Sequence, residues 1–105
     1  MALTRSQQRL VYQYEQILRN GPGIIAKHEQ ALLQNQRNLD RAEQVLSFYR
    51  GKKLGFLDFS AKNAVKKAKE AKRLAKGFMS QNKRKIKSIR QRMAKAQREL
   101  ARLRR

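Results

Sequence analysis

Five cations in the second half of the chain, Lys62, Lys66, Lys69, Arg73 and Lys76, recur at steps of four and three residues. On a helix that spacing puts all five on one face, because residues three and four apart are neighbours along the axis. A row of like charges suits a polyanion, since Lys and Arg on one face engage successive phosphates of a nucleic-acid backbone. An ordinary solvated helix face mixes signs so that acids and bases pair at i,i+4. Here Glu70 is the only acid between Ser60 and Arg98. Alanines line the opposite face, where they favour helix and let a neighbouring element approach closely.

A second set of cations follows: Lys83, Arg84, Lys85, Lys87, Arg90, Arg92, Lys95 and Arg98, with Arg102, Arg104 and Arg105 at the end. These residues extend the expected backbone contact. Phe56 and Phe59 lie close to Lys52 and Lys53, and aromatic rings beside lysines suit stacking on the bases of a single strand. The competing reading, packing of both rings into the core of a linker, is the one favoured here. The Lys/Ala composition of Ser60–Lys76 resembles the tails of linker histones and bacterial histone-like proteins, a likeness of composition that implies polyanion binding and no diagnostic motif.

Net charge points the same way. Gly51–Arg105 carries twenty bases against three acids, a net +17, whereas Met1–Arg50 carries seven against four, a net +3. Such a density repels itself unless a polyanion neutralises it, and nucleic acid also releases its condensed counterions on binding. DNA and RNA fit equally, because no base-reading motif or 2′-hydroxyl reader is visible.

Other chemistries lack their residues. The 105 residues contain no cysteine, which excludes disulfides and thiolate metal sites. His28 is the only histidine, so no transition-metal site is expected. No nucleophile, base and orienting group assemble, and no glycine-rich phosphate loop is present. The expectation is a non-enzymatic protein with no catalytic residue, no cofactor and no small-molecule substrate. No apolar run is long enough for a membrane span, and the N-terminus lacks the apolar stretch of a signal peptide. A cytoplasmic location, or packaging inside a viral particle, is expected.

The elements that position these residues read as helices. Leu10, Tyr14, Ile17 and Leu18 form an apolar stripe on a first helix over about 6–19, with Thr4 or Ser6 as its N-cap. Asn20-Gly21-Pro22-Gly23 reads as a turn, since Gly accepts the left-handed conformation and Pro suits a new helix start. A second helix over about 23–50 carries Ile25, Leu32, Leu39 and Leu46 seven apart, with His28, Asn35, Ala42 and Tyr49 between them. That is a coiled-coil seam with polar interruptions.

From Ala61 the pattern is the most regular of all. Ala61, Val65, Ala68, Lys72, Ala75, Met79, Asn82, Ile86, Ile89, Met93, Ala96, Leu100 and Leu103 keep one phase at three- and four-residue steps. Gly77 is the weak point: the phase passes through it and favours one helix of ~68 Å at 1.5 Å per residue, whereas a break there would let the last segment fold back and complete a four-helix bundle. In heptad terms Lys69, Lys76, Lys83, Arg90 and Arg104 share position e, and Lys85 and Arg92 hold g. A parallel homodimer therefore sets like charges against each other. An acidic coiled-coil partner, the chain's own N-terminal half, or nucleic acid would each relieve this.

The expected fold is all-α: an N-terminal antiparallel helical hairpin (1–50), an aromatic and basic loop (51–60), and a long basic amphipathic helix with coiled-coil periodicity (61–105). The expected function is largely sequence-independent nucleic-acid binding, in genome packaging or organisation within a viral particle or nucleoid. The alternatives are a ribosomal or ribonucleoprotein subunit, or a coiled-coil structural or adaptor protein that docks on an acidic partner or on itself. The distal segment, from about Ser80, is expected to be loosely held without a partner.

Overall fold

A computed structural model describes residues 2–52 and 59–105, and all of its regular structure is α-helix. The first helix, α1, spans Arg5–Tyr49, and the second, α2, spans Phe59–Leu103.

The start of α1 follows from local chemistry. The Thr4 hydroxyl accepts from the Gln7 amide at 3.1 Å, and the Gln7 side-chain oxygen accepts from the Thr4 amide at 2.9 Å. This reciprocal capping box satisfies two amides that the first turn leaves free. Its end is equally local. Gly51 has φ +78°, the left-handed conformation in which glycine terminates a helix without a Cβ penalty. Lys52 then folds back, its ammonium 4.0 Å from the centroid of the Phe48 ring.

The turn expected at Asn20–Gly23 is not there, and with it goes the hairpin within 1–50. Residues 20–23 are helical and Pro22 lies inside α1. Proline removes one helical hydrogen bond, a defect worth about 3 kcal/mol in a helix interior. Part of that penalty is relieved by Gly21, because the residue before a proline resists helix partly through its own Cβ. Packing supplies the rest. Gly21 is buried, and a Cβ built on it would meet the Met93 sulfur at 2.5 Å. The glycine is therefore a site of close approach in a continuous seam.

That seam runs the length of α1. Gln7, Val11, Tyr14, Leu18, Gly21, Ile25, His28, Leu32, Asn35, Leu39, Ala42, Leu46 and Tyr49 follow the three- and four-residue steps without a slip, and every one is buried or half-buried. Leu10, expected on the stripe, is exposed, and Val11 takes the place beside the core. On α2 each of the thirteen positions from Ala61 to Leu103 is likewise buried or half-buried, and the helix is continuous at Gly77.

The chain divides into two compact units. Unit 1 joins residues 1–29 to 83–105, and unit 2 comprises 30–82. In unit 1 the two helical segments run in opposite directions: Glu15 pairs with Arg104, and Glu29 with Arg90 at 3.1 Å. The core of unit 1 contains Ile86, Ala96 and Leu100, with Ala96 wholly buried. The segment beyond Ser80, expected to be loose, is thus packed against α1 in this unit. In unit 2 the buried residues are Ala42, Val65, Ala68, Ala75 and Asn82. The Asn82 side-chain nitrogen is buried without a hydrogen-bond partner among the described residues.

Candidate functional site

Unit 2 holds the five-cation stripe whole. Lys62, Lys66, Lys69, Arg73 and Lys76 are all exposed, and they lie along one flank of the α2 seam. Seam residues Val65, Ala68, Lys72 and Ala75 face the core and so fix that flank in register. No member of the stripe forms an ion pair among the described residues. The acids that α1 brings to unit 2 are occupied elsewhere: Glu43 reaches Lys72 at 3.8 Å, and Asp40 accepts from the Gln36 side-chain nitrogen at 3.0 Å. Lys72 occupies a seam position and extends its ammonium out to Glu43, an arrangement open to a long flexible side chain.

Phe59 opens α2 and is 84% exposed. It lies three residues before Lys62 on the same flank. The expectation that its ring packs into a core is corrected here: Phe59 precedes the seam position Ala61 by two residues, which turns it about 200° around the helix from that position. Phe56, the other candidate for stacking, lies outside the described residues.

The second set of cations is arranged differently. In unit 1 Lys83, Arg84, Lys85, Lys87, Arg90, Arg92, Lys95 and Arg98 are all exposed, but they surround the free faces of α2 instead of forming one row. Arg90 is committed to Glu29, Arg104 to Glu15, and Arg102 to Glu99 at 2.7 Å. Unit 1 nets +12 and unit 2 nets +8. Unit 1 has the higher charge, and unit 2 has the ordered row.

Glu15, Glu29 and Glu43 recur at intervals of fourteen, two heptads, and each takes one cation of α2. These pairs lie at the surface, where each contributes about 1 kcal/mol or less. Their main effect is on choice of partner, because opposite charges beside a seam favour one pairing over others. Two of the three cations, Arg90 and Arg104, hold e positions of α2, and the third, Lys72, reaches out from the seam.

No group of three or more His, Asp or Glu residues able to hold a metal occurs among the described residues. No described helix is long and apolar enough to cross a membrane. No family model, curated protein or solved structure matches the chain.

Proposed function

We propose that this protein is a non-enzymatic nucleic-acid-binding protein that grips the phosphate backbone through the stripe on unit 2. The observation that carries this reading is the row Lys62, Lys66, Lys69, Arg73 and Lys76, exposed along one helix flank with no acid paired to it among the described residues. Successive members are ~4.5–6 Å apart along the axis at 1.5 Å per residue. Such a row meets consecutive phosphates whatever the base sequence. The scaffold is an antiparallel, coiled-coil-like pairing of α1 with α2, and the cations of unit 1 add a diffuse field that draws polyanions in. Phe59, exposed at the head of the stripe, stacks on an unpaired base when the ligand is single-stranded. A role in packaging or organising a genome follows from backbone contact without base reading, and a ribonucleoprotein subunit uses the same chemistry.

The test is a salt titration of duplex binding. With roughly six to ten phosphates engaged, affinity for a mixed-sequence duplex falls on the order of 10³–10⁵-fold between 50 and 200 mM salt. Replacing all five stripe residues by Gln lowers the slope of log affinity against log salt by about four to five. An affinity insensitive to salt, or a slope unchanged in that variant, refutes the proposal.

A further inference from the structure

The other flank of unit 2 carries almost no charge. Ala42 and Val45 of α1 and Ala71, Leu74, Ala75 and Phe78 of α2 line a groove of about 520 Å³. Val45, Leu74 and Phe78 remain 36%, 43% and 49% exposed, so the pairing of α1 with α2 leaves this flank open. Two cations, Arg41 from α1 and Lys67 from α2, complete its wall, and no acid lines it. Neither cation has an ion-pair partner among the described residues.

We infer that this groove is a docking site for an amphipathic helix whose apolar stripe is bordered by carboxylates. Its dimensions suit a helix, since the α2 residues lining it run from Ala64 to Phe78, ~21 Å or about four turns. Its alanine floor admits close approach of a backbone, while Leu74 and Phe78 offer large side chains to bury. This is the helix-in-groove mode, in which apolar anchors at i, i+3, i+4 and i+7 supply affinity and the flanking charges choose the partner. Here one cation from each helix borders the apolar strip, so the complementary ligand places acids on both sides of its own. A second copy of this chain is a poor occupant, because it brings the same two cations, no acid among the residues lining the groove, and another +8. Nucleic acid meets only two cations there. The docking site and the phosphate-binding stripe lie on opposite flanks of one helix, so the two proposals stand or fall separately.

The probe is a fluorescein-labelled 28-residue peptide of four heptads, with Leu at a and d, Glu at e and g, and Gln or Ala elsewhere. It is titrated with the full chain at 150 mM salt. Two control peptides accompany it: one with Lys at e and g, and one of identical composition with the apolar positions scrambled. The Glu peptide is expected to bind at least tenfold more tightly than either control. The exposed pair Leu74→Gln/Phe78→Gln weakens it tenfold or more, with helicity by circular dichroism and duplex affinity unchanged. Arg41→Glu/Lys67→Glu switches the preference to the Lys peptide, and a saturating duplex leaves the Glu peptide bound. Failure of the Glu peptide to bind overturns the inference. So does equal binding of the scrambled peptide, which marks attraction to net charge alone, or indifference to Leu74→Gln/Phe78→Gln. A dimer in sedimentation that those two substitutions dissolve also overturns it, because the groove would then hold a second copy.

Discussion

Unit 1 and unit 2 are built from the same two helices in the same seam periodicity, yet they bury different side chains. Unit 1 covers Ile86 and Leu100 together with Ala96, and Gly21 lets Met93 close against α1. Fully buried in unit 2 are three alanines, one valine and an asparagine whose side-chain nitrogen has no partner among the described residues. Large side chains remove more apolar area from water, at ~25 cal/mol per Å², so the fully buried residues of unit 1 contribute more than those of unit 2. Unit 2 leaves Val45, Phe48, Leu74 and Phe78 exposed on one flank and an ordered row of cations on the other. The difference teaches that the larger fully buried side chains and the ordered row of cations belong to different units.

The comparison breaks most visibly at the core. Leu100→Ala is expected to cost about 2–5 kcal/mol of unfolding free energy, from lost burial and the cavity left behind. Val65→Ala in unit 2 removes two methyl groups and costs about 1–2 kcal/mol. Urea unfolding followed by circular dichroism measures both. Equal losses would mean that the two cores carry equal weight.

Next in size is the contrast between glycines. Gly21 is buried against Met93, so Gly21→Leu overpacks the seam and costs about 1–3 kcal/mol. Adding Met93→Ala to that variant restores much of the loss by making room. Gly77 has nothing within 4 Å of an added Cβ, and Gly77→Ala stabilises by about 0.5–1 kcal/mol through helix propensity. Melting temperatures of the three variants decide this. A stabilising Gly21→Leu would show that the seam is loose at that level.

The smallest expected effect concerns the ion pairs. Glu29→Gln frees Arg90 and changes stability by no more than about 1 kcal/mol, because both side chains are half exposed. Duplex affinity at low salt rises slightly, since one carboxylate is gone and one guanidinium is released. An unfolded or strongly destabilised variant would mean that the charge flank supports unit 1 more than its core does.

How far this was legible can be argued from two places. At Gly77 the unbroken phase of the seam outweighs the weak helix former, and α2 is helical there. At Gly21-Pro22-Gly23 the same phase argument applies: Leu18, Gly21 and Ile25 keep the step. Sequence reading weighed the local turn chemistry more heavily and placed a break. A proline and two glycines report only backbone preference, whereas the thirteen-position seam of α1 reports what a neighbouring helix can cover. The candidate cations were legible because a row of like charges at helical spacing is a property of one element. Their freedom from acids was not, because Glu29, Glu43 and Glu15 reach across to α2 from residues far away in the chain.

By itself the sequence determined the helical class, the phase of the α2 seam, the charge imbalance and the absence of cysteine chemistry. Each depends on residue type and short-range spacing, which the 3.6-residue turn converts directly into faces. Tertiary structure alone decided that α1 passes through Pro22, that α1 covers the distal part of α2 in unit 1, and which cations are paired. It also decided that one flank of unit 2 stays apolar and open. Those outcomes turn on which surfaces meet. Contact between segments sixty or ninety residues apart is set by the fit of whole faces, and local propensity carries no information about it.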